Sequence, residues 1–222
     1  MKLYLCLAAF AALIVSAAPA AAQKPDELRQ LPQRQAVHEL GIFANCIAVR
    51  RTDRARALAL APYDTAEQQQ AADRVMQRFD DVCLRGGFGS VRMSVRHDML
   101  AGAVARVLLN REYPNLAQVI DPTTVDVASE RLRAAQLGVP ERFGRCVVWN
   151  DPAGVQALLR ADPGSPAEAQ AINGLKQDMG MCLEEGHTLR LDRSFVRNVT
   201  AVAAYKLAQQ VRPGAPARSA AE

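Results

Sequence analysis

Shifted by 100 residues, this chain lays one half over the other, and its cysteines coincide. Phe43-Ala-Asn-Cys46 falls on Phe143-Gly-Arg-Cys146, Ala57-Leu58 on Ala157-Leu158, and Gln70-Ala71 on Gln170-Ala171. One residue then drops out, and Cys83-Leu84 falls on Cys182-Leu183. Val91-Arg92-Met93 meets Leu189-Arg190-Leu191, and a further short deletion brings Leu100 and Val104 onto Val196 and Thr200, with Leu109 on Tyr205. Self-similarity at one long period predicts two copies of one structural unit. Four cysteines allow three pairings. If each copy is one unit, the economical pairing is Cys46–Cys83 and Cys146–Cys182. Each bond closes a loop of nearly forty residues, contributing ~4 kcal/mol in the chain-entropy account.

Disulfides persist in oxidising compartments, and the start of the chain agrees. Met1 and Lys2 are followed by an almost wholly apolar run from Leu3 to Val15, then by small residues ending Ala20-Ala21-Ala22 before Gln23. That order is a secretory signal peptide with an A-x-A site. The rival is an uncleaved anchor, but the run is short of the about 20 residues that span a bilayer. Cys6 lies in the apolar run and leaves with the leader. The expected organisation is a signal peptide over 1–22, a first helical unit over 23–111, and a linker with a helix over 112–136. A second unit follows over 137–211, and the Pro- and Ala-rich tail over 212–222 reads as disordered. The mature chain has no further segment apolar enough to cross a membrane. Without Lys2 it carries 26 of the 27 basic residues against 23 acidic ones, about +3, too mild to argue for nucleic acid.

Ala, Leu, Arg, Gln and Glu favour helix, and period-two alternation is scarce, so the fold class is all-α. Each unit is expected to hold three to four helices and one internal disulfide. In the first copy Val37, Leu40, Phe43, Ala44 and Ile47 share a helical face. A short helix is expected over 53–61, stopped by Pro62. Thr65 and Gln68 have capping-box spacing ahead of the cysteine helix, Gly86-Gly87 ends that helix, and the last helix runs about 98–110. In the second copy Asp151-Pro152 opens the short helix, Pro166 to Leu183 forms the cysteine helix, and 194–210 forms the last.

The second copy carries Phe143, Cys146, Leu158-Leu159, Pro163-Gly164-Ser165, Cys182-Leu183, Gly186 and Leu189-Arg190-Leu191 in that order. This pattern resembles a group of uncharacterised secreted two-repeat helical proteins of sphingomonad-type alphaproteobacteria. The resemblance covers most of residues 37–210. The first copy departs from it, with Pro62-Tyr63-Asp64-Thr65 at the turn and Gly86-Gly87 in the loop. It implies export and a duplicated helical fold, and it brings no activity, cofactor or catalytic residue.

Residue patterns that carry chemistry are scarce in the chain. His38, His97 and His187 stand in neither a H-E-x-x-H nor a Cys/His metal spacing. Gly86-Gly87-Phe88-Gly89-Ser90 lacks the lysine of a phosphate loop. Asp80-Asp81 and Glu184-Glu185 are neighbours in sequence, and neighbours on a helix point different ways. Once both disulfides form, no thiol is left as a nucleophile. The densest basic cluster, Arg50, Arg51, Arg54 and Arg56 around Asp53, belongs to the first copy alone and is a candidate for an anionic envelope component. No catalytic, metal or cofactor residue is expected. The leading expectation is a periplasmic or secreted binding module of the cell envelope, non-enzymatic, with an unknown protein or anionic partner. The alternative is a periplasmic enzyme, or an enzyme regulator, with a site built from scattered polar residues.

Overall fold

The computed structural model describes residues 33–76, 83, 95–121 and 132–211. The leader, the tail, Asp80-Asp81, the Gly86–Ser90 run and most of the linker helix lie outside the described residues. Among the described residues there is no strand. The helices in chain order are α1 (Gln33–Arg50), α2 (Thr52–Leu60), α3 (Ala66–Met76), α4 (His97–Glu112) and α5 (Leu116–Val119). They continue with α6 (Val139–Asn150), α7 (Pro152–Arg160), α8 (Pro166–Gly174), α9 (Lys176–Met181) and α10 (Arg193–Val211). The chain is all-α, and the disulfides are Cys46–Cys83 and Cys146–Cys182, with Cα atoms 5.7 and 5.6 Å apart.

The two halves are built by the same local chemistry at matching positions. α2 and α7 are nine residues each. Both end at an extended alanine whose N–H reaches back to a helix carbonyl: Ala61 to Ala57, Ala161 to Ala157. The turn that follows places Asp64 at φ 57° and Gly164 at φ 76°, in the left-handed region that suits Gly and tolerates Asp. Thr65 Oγ1 then accepts from Gln68 N at 3.3 Å, and Ser165 Oγ from Glu168 N at 3.1 Å. The Gln68 and Glu168 side chains reach back to accept from the N–H of Asp64 (3.0 Å) and Gly164 (2.7 Å). Each arrangement satisfies donors that a helix start leaves orphaned. One expectation needs correction: the cysteine helix of the second half is not continuous over 166–183. It breaks at Leu175, just after Gly174, a poor helix former.

A single hydrophobic core runs through both halves. Phe43 and Phe143, Ile47 and Val147, and Leu58 and Leu158 are buried at equivalent places. The centre is α10, in which every residue from Val196 to Ala208 is buried. A helix buried all round must be covered on every side. α10 packs on α2, α4, α5, α6 and α7, while α4 packs on α1, α2, α3 and α10. The α4–α10 crossing is very close: a Cβ on Gly102 would lie 2.4 Å from Asn198 Cβ and 2.6 Å from its Cα. Gly144 is likewise pressed against the Val199 carbonyl, 2.8 Å from where its Cβ would stand. No helix of the described residues is long and apolar enough to cross a membrane.

Candidate functional site

The arginines singled out by density do not form one free patch. Arg50 ends α1 exposed, while Arg51 and Arg54 are half-buried. Arg54 donates to the Arg74 carbonyl at 3.4 Å. Arg56 donates twice to Glu112 Oε1, at 3.2 and 3.0 Å, and the carboxylate beside it holds the guanidinium pKa up. Glu112 Oε2 accepts from Tyr205 at 3.2 Å and from Gln209 at 3.1 Å. Arg56 therefore ties α2 to α4 and α10. The histidines are dispersed. His38 is exposed. His97 Nε2 lies 3.1 Å from Asp64 Oδ1, joining the first turn to the start of α4. His187 Nδ1 lies 3.8 Å from Glu184, whose carboxylate is gripped by Arg142 at 2.6 Å. Among the described residues no group of three or more His, Cys, Asp or Glu could hold a metal ion.

The charges that matter to the interior are others. Each half's turn between its short helix and the next packs against the first helix of the other half. On one side the first turn meets α6: Glu141 Oε2 accepts from Tyr63 N at 2.9 Å, and Oε1 accepts from Lys206 Nζ at 2.8 Å. Arg145 stands 3.8 Å from the same carboxylate and donates to Gln210 at 3.2 Å. Glu141, Arg145 and Lys206 are all buried. Burial pushes the Lys206 pKa down, against the pull of Glu141. An ion pair taken from water needs this degree of hydrogen bonding to hold its charges.

On the other side the second turn, at Pro163, meets α1 across a cleft lined by Val37, Gly41, Met99, Arg106, Arg197 and Asn198. Gly41 is the 100-residue counterpart of Glu141, and Pro163 of Tyr63. On this side no carboxylate projects from α1, and a small cleft remains beside the Arg106 guanidinium that reaches toward Gly41. Arg197 is buried and ion-paired with Glu168. Half-buried Arg106 has one terminal nitrogen, Nη2, only 3.3 Å from where a Gly41 Cβ would stand. Burial and the neighbouring Arg197 charge push its pKa down, while Asp162 and Glu168 act on it through space without a hydrogen bond. The cleft has ≈ 20 Å³ of room for water centres, little more than the ~10–15 Å³ that one water needs.

Guanidiniums keep their protons at any physiological pH, so this arrangement can bind and orient an anion. Density in sequence does not reveal Arg106, Arg197, Glu141 or Lys206, because none of them lies in a run of like charges and burial is not visible in sequence. One legible signal was available: Ser165-Pro-Ala-Glu168 has the same capping-box spacing as Thr65-Ala-Glu-Gln68. Compared with known proteins, the chain matches no family, no curated protein and no solved structure.

Proposed function

We propose that the chain is an exported, duplicated helical module of the bacterial cell envelope that binds a partner and performs no catalysis of its own. Two disulfides, each closing its own half, support an oxidising compartment such as the periplasm. The matched turns at Asp64 and Gly164, with their matched caps, support descent from one unit. So does the meeting of Gly102 with Asn198, which are counterparts in the two last helices: like positions meet where two copies face each other about a two-fold.

The observation that carries binding is the asymmetry of the two turn–helix seats. One is occupied by the protein's own Glu141; the other is an open cleft with Arg106 in its wall. An unfilled polar seat in a close-packed interior is a place for a ligand.

The test is photo-crosslinking in envelope extract. A photoreactive residue at Val37 or Met99, in the cleft wall, is expected to give a discrete adduct. The same residue at exposed Leu183, outside the cleft, is expected to give none. Equal labelling from both positions, or no adduct from the cleft, contradicts the reading.

A further inference from the structure

We propose that the cleft between α1, α4 and α10 is a carboxylate-binding site, whose ligand takes the place that Glu141 takes in the other half. The proposal rests on the binding reading above and names the chemistry of that ligand.

The occupied seat shows what such a seat is built to hold. There, a carboxylate projects from the first helix of one half toward the turn of the other, and a cation from the last helix meets it: Lys206 at 2.8 Å. In the open seat the carboxylate is absent because its position is Gly41. A cation from the last helix is nevertheless present. The counterpart of Lys206 is Asn110, and Arg106 stands one turn before it on α4, against Gly41. Two features separate an open site from a mere gap. The wall brings Arg197 and Asn198 beside Arg106 among apolar residues. Among the described residues no carboxylate is hydrogen-bonded to Arg106, and Glu168 and the exposed Asp162 act on its charge from a distance. A half-buried cation without a close anion is partly desolvated at a cost, and an anion that binds there offsets it.

Size and shape select within the anions. The room is that of one or two waters, which suits a planar two-oxygen head on a slim stem. A guanidinium fork matches a carboxylate with two parallel hydrogen bonds. Arg197 already spends one terminal nitrogen on Glu168, so the seat offers one full fork, fewer donors than a tetrahedral oxyanion engages. Two sources share this chemistry: a short free acid and the C-terminal carboxylate of a peptide.

The experiment is a titration of the isotope-labelled full chain, followed by the Arg106 side-chain Nε–H signal and the Gly41 and Gly102 amides at matched ionic strength. The probes are acetate, succinate, a short peptide with a free C-terminus, the same peptide amidated, and inorganic phosphate. Saturable shifts at these three residues are expected with carboxylates, at least ~10-fold tighter than with phosphate or amide, the loss expected when a charged hydrogen-bond partner goes. A peptide that beats acetate assigns the site to chain ends; parity of acetate and peptide assigns it to small acids. Either supports the proposal.

Arg106→Gln should weaken binding about 10-fold or more, and Arg106→Lys less so, because charge remains while the fork is lost. Gly41→Glu supplies the missing carboxylate from within and should abolish binding while leaving the fold intact by circular dichroism. If Gly41→Glu does not fold, the two Arg106 variants decide. Absence of carboxylate shifts, a preference for phosphate, or binding unchanged in Arg106→Gln overturns the proposal. A cleft-specific envelope adduct without carboxylate binding would leave the binding module standing and remove only this ligand class. Carboxylate binding without an adduct would do the reverse.

Discussion

At the residue scale, the interior of this protein is set by a few polar side chains packed among Ala, Val and Leu. Tyr63 is one. Its ring is buried, and its hydroxyl has no hydrogen-bond partner among the described residues. Burial pushes its phenol well above the usual tyrosine range, and the same cause raises Tyr205. A group whose folded pKa is raised keeps its full stabilising effect below its unfolded value, ~10 for tyrosine, and loses it as pH rises beyond that. Stability should therefore fall above pH ~10. Tyr63→Phe should make that fall shallower in urea titrations and gain up to ~1 kcal/mol near neutral pH, because an unmade buried hydrogen bond disappears. Glu141, by contrast, is fully partnered. Glu141→Gln leaves Lys206 buried without its carboxylate, at a cost of about 3–5 kcal/mol, whereas Glu141→Leu combined with Lys206→Met should recover much of that loss. A double variant no more stable than the single one would show that Glu141 and Lys206 do not act as a pair. None of this was legible in sequence, since a lone Glu or Lys in a helix looks the same whether it faces water or the core.

At the scale of elements, much was legible. Hydrophobic periodicity placed α1 and α4, Asp151-Pro152 marked the start of α7, and Thr65 with Gln68 marked the start of α3, all within a few residues. These signals are local, and local chemistry fixes them. Two features were missed. The break at Leu175 follows Gly174, a weak local signal within an otherwise helix-favouring stretch. The role of α10 as the central helix is hidden by Arg197, Asn198 and Lys206, which its pattern presents as surface. Glycine effects separate by contact in the same way. Gly102→Ala should cost ~1–3 kcal/mol or more, since the added carbon would overlap the backbone of α10 and neither helix can yield alone. Gly174→Ala meets nothing within 4 Å and should gain up to ~1 kcal/mol from helix propensity. Thermal unfolding of the two variants reads the contrast directly, and equal shifts would contradict the close α4–α10 crossing.

For the whole molecule, the sequence match at 100 residues pointed to two units. The structure adds that the described parts of both share one core, with α4 and α10 in contact at its middle. The cysteine pairing argued from that match is the pairing found. The cleft could not be read beforehand. It lies where the two halves differ, at Gly41 against Glu141, and that difference gains meaning only when the two turns are seen in space. The basic cluster chosen by density is partly consumed in structure, since Arg56 is held by Glu112. Export as a chain of two units, each closed by its own disulfide, is tested by a non-reducing peptide map, with intact mass, of the chain recovered from cells under thiol-blocking conditions. A mature chain beginning near Gln23 is expected, with Cys46 linked only to Cys83 and Cys146 only to Cys182. Free thiols on a chain that keeps its first 22 residues, or a link from Cys46 to Cys146, would contradict it.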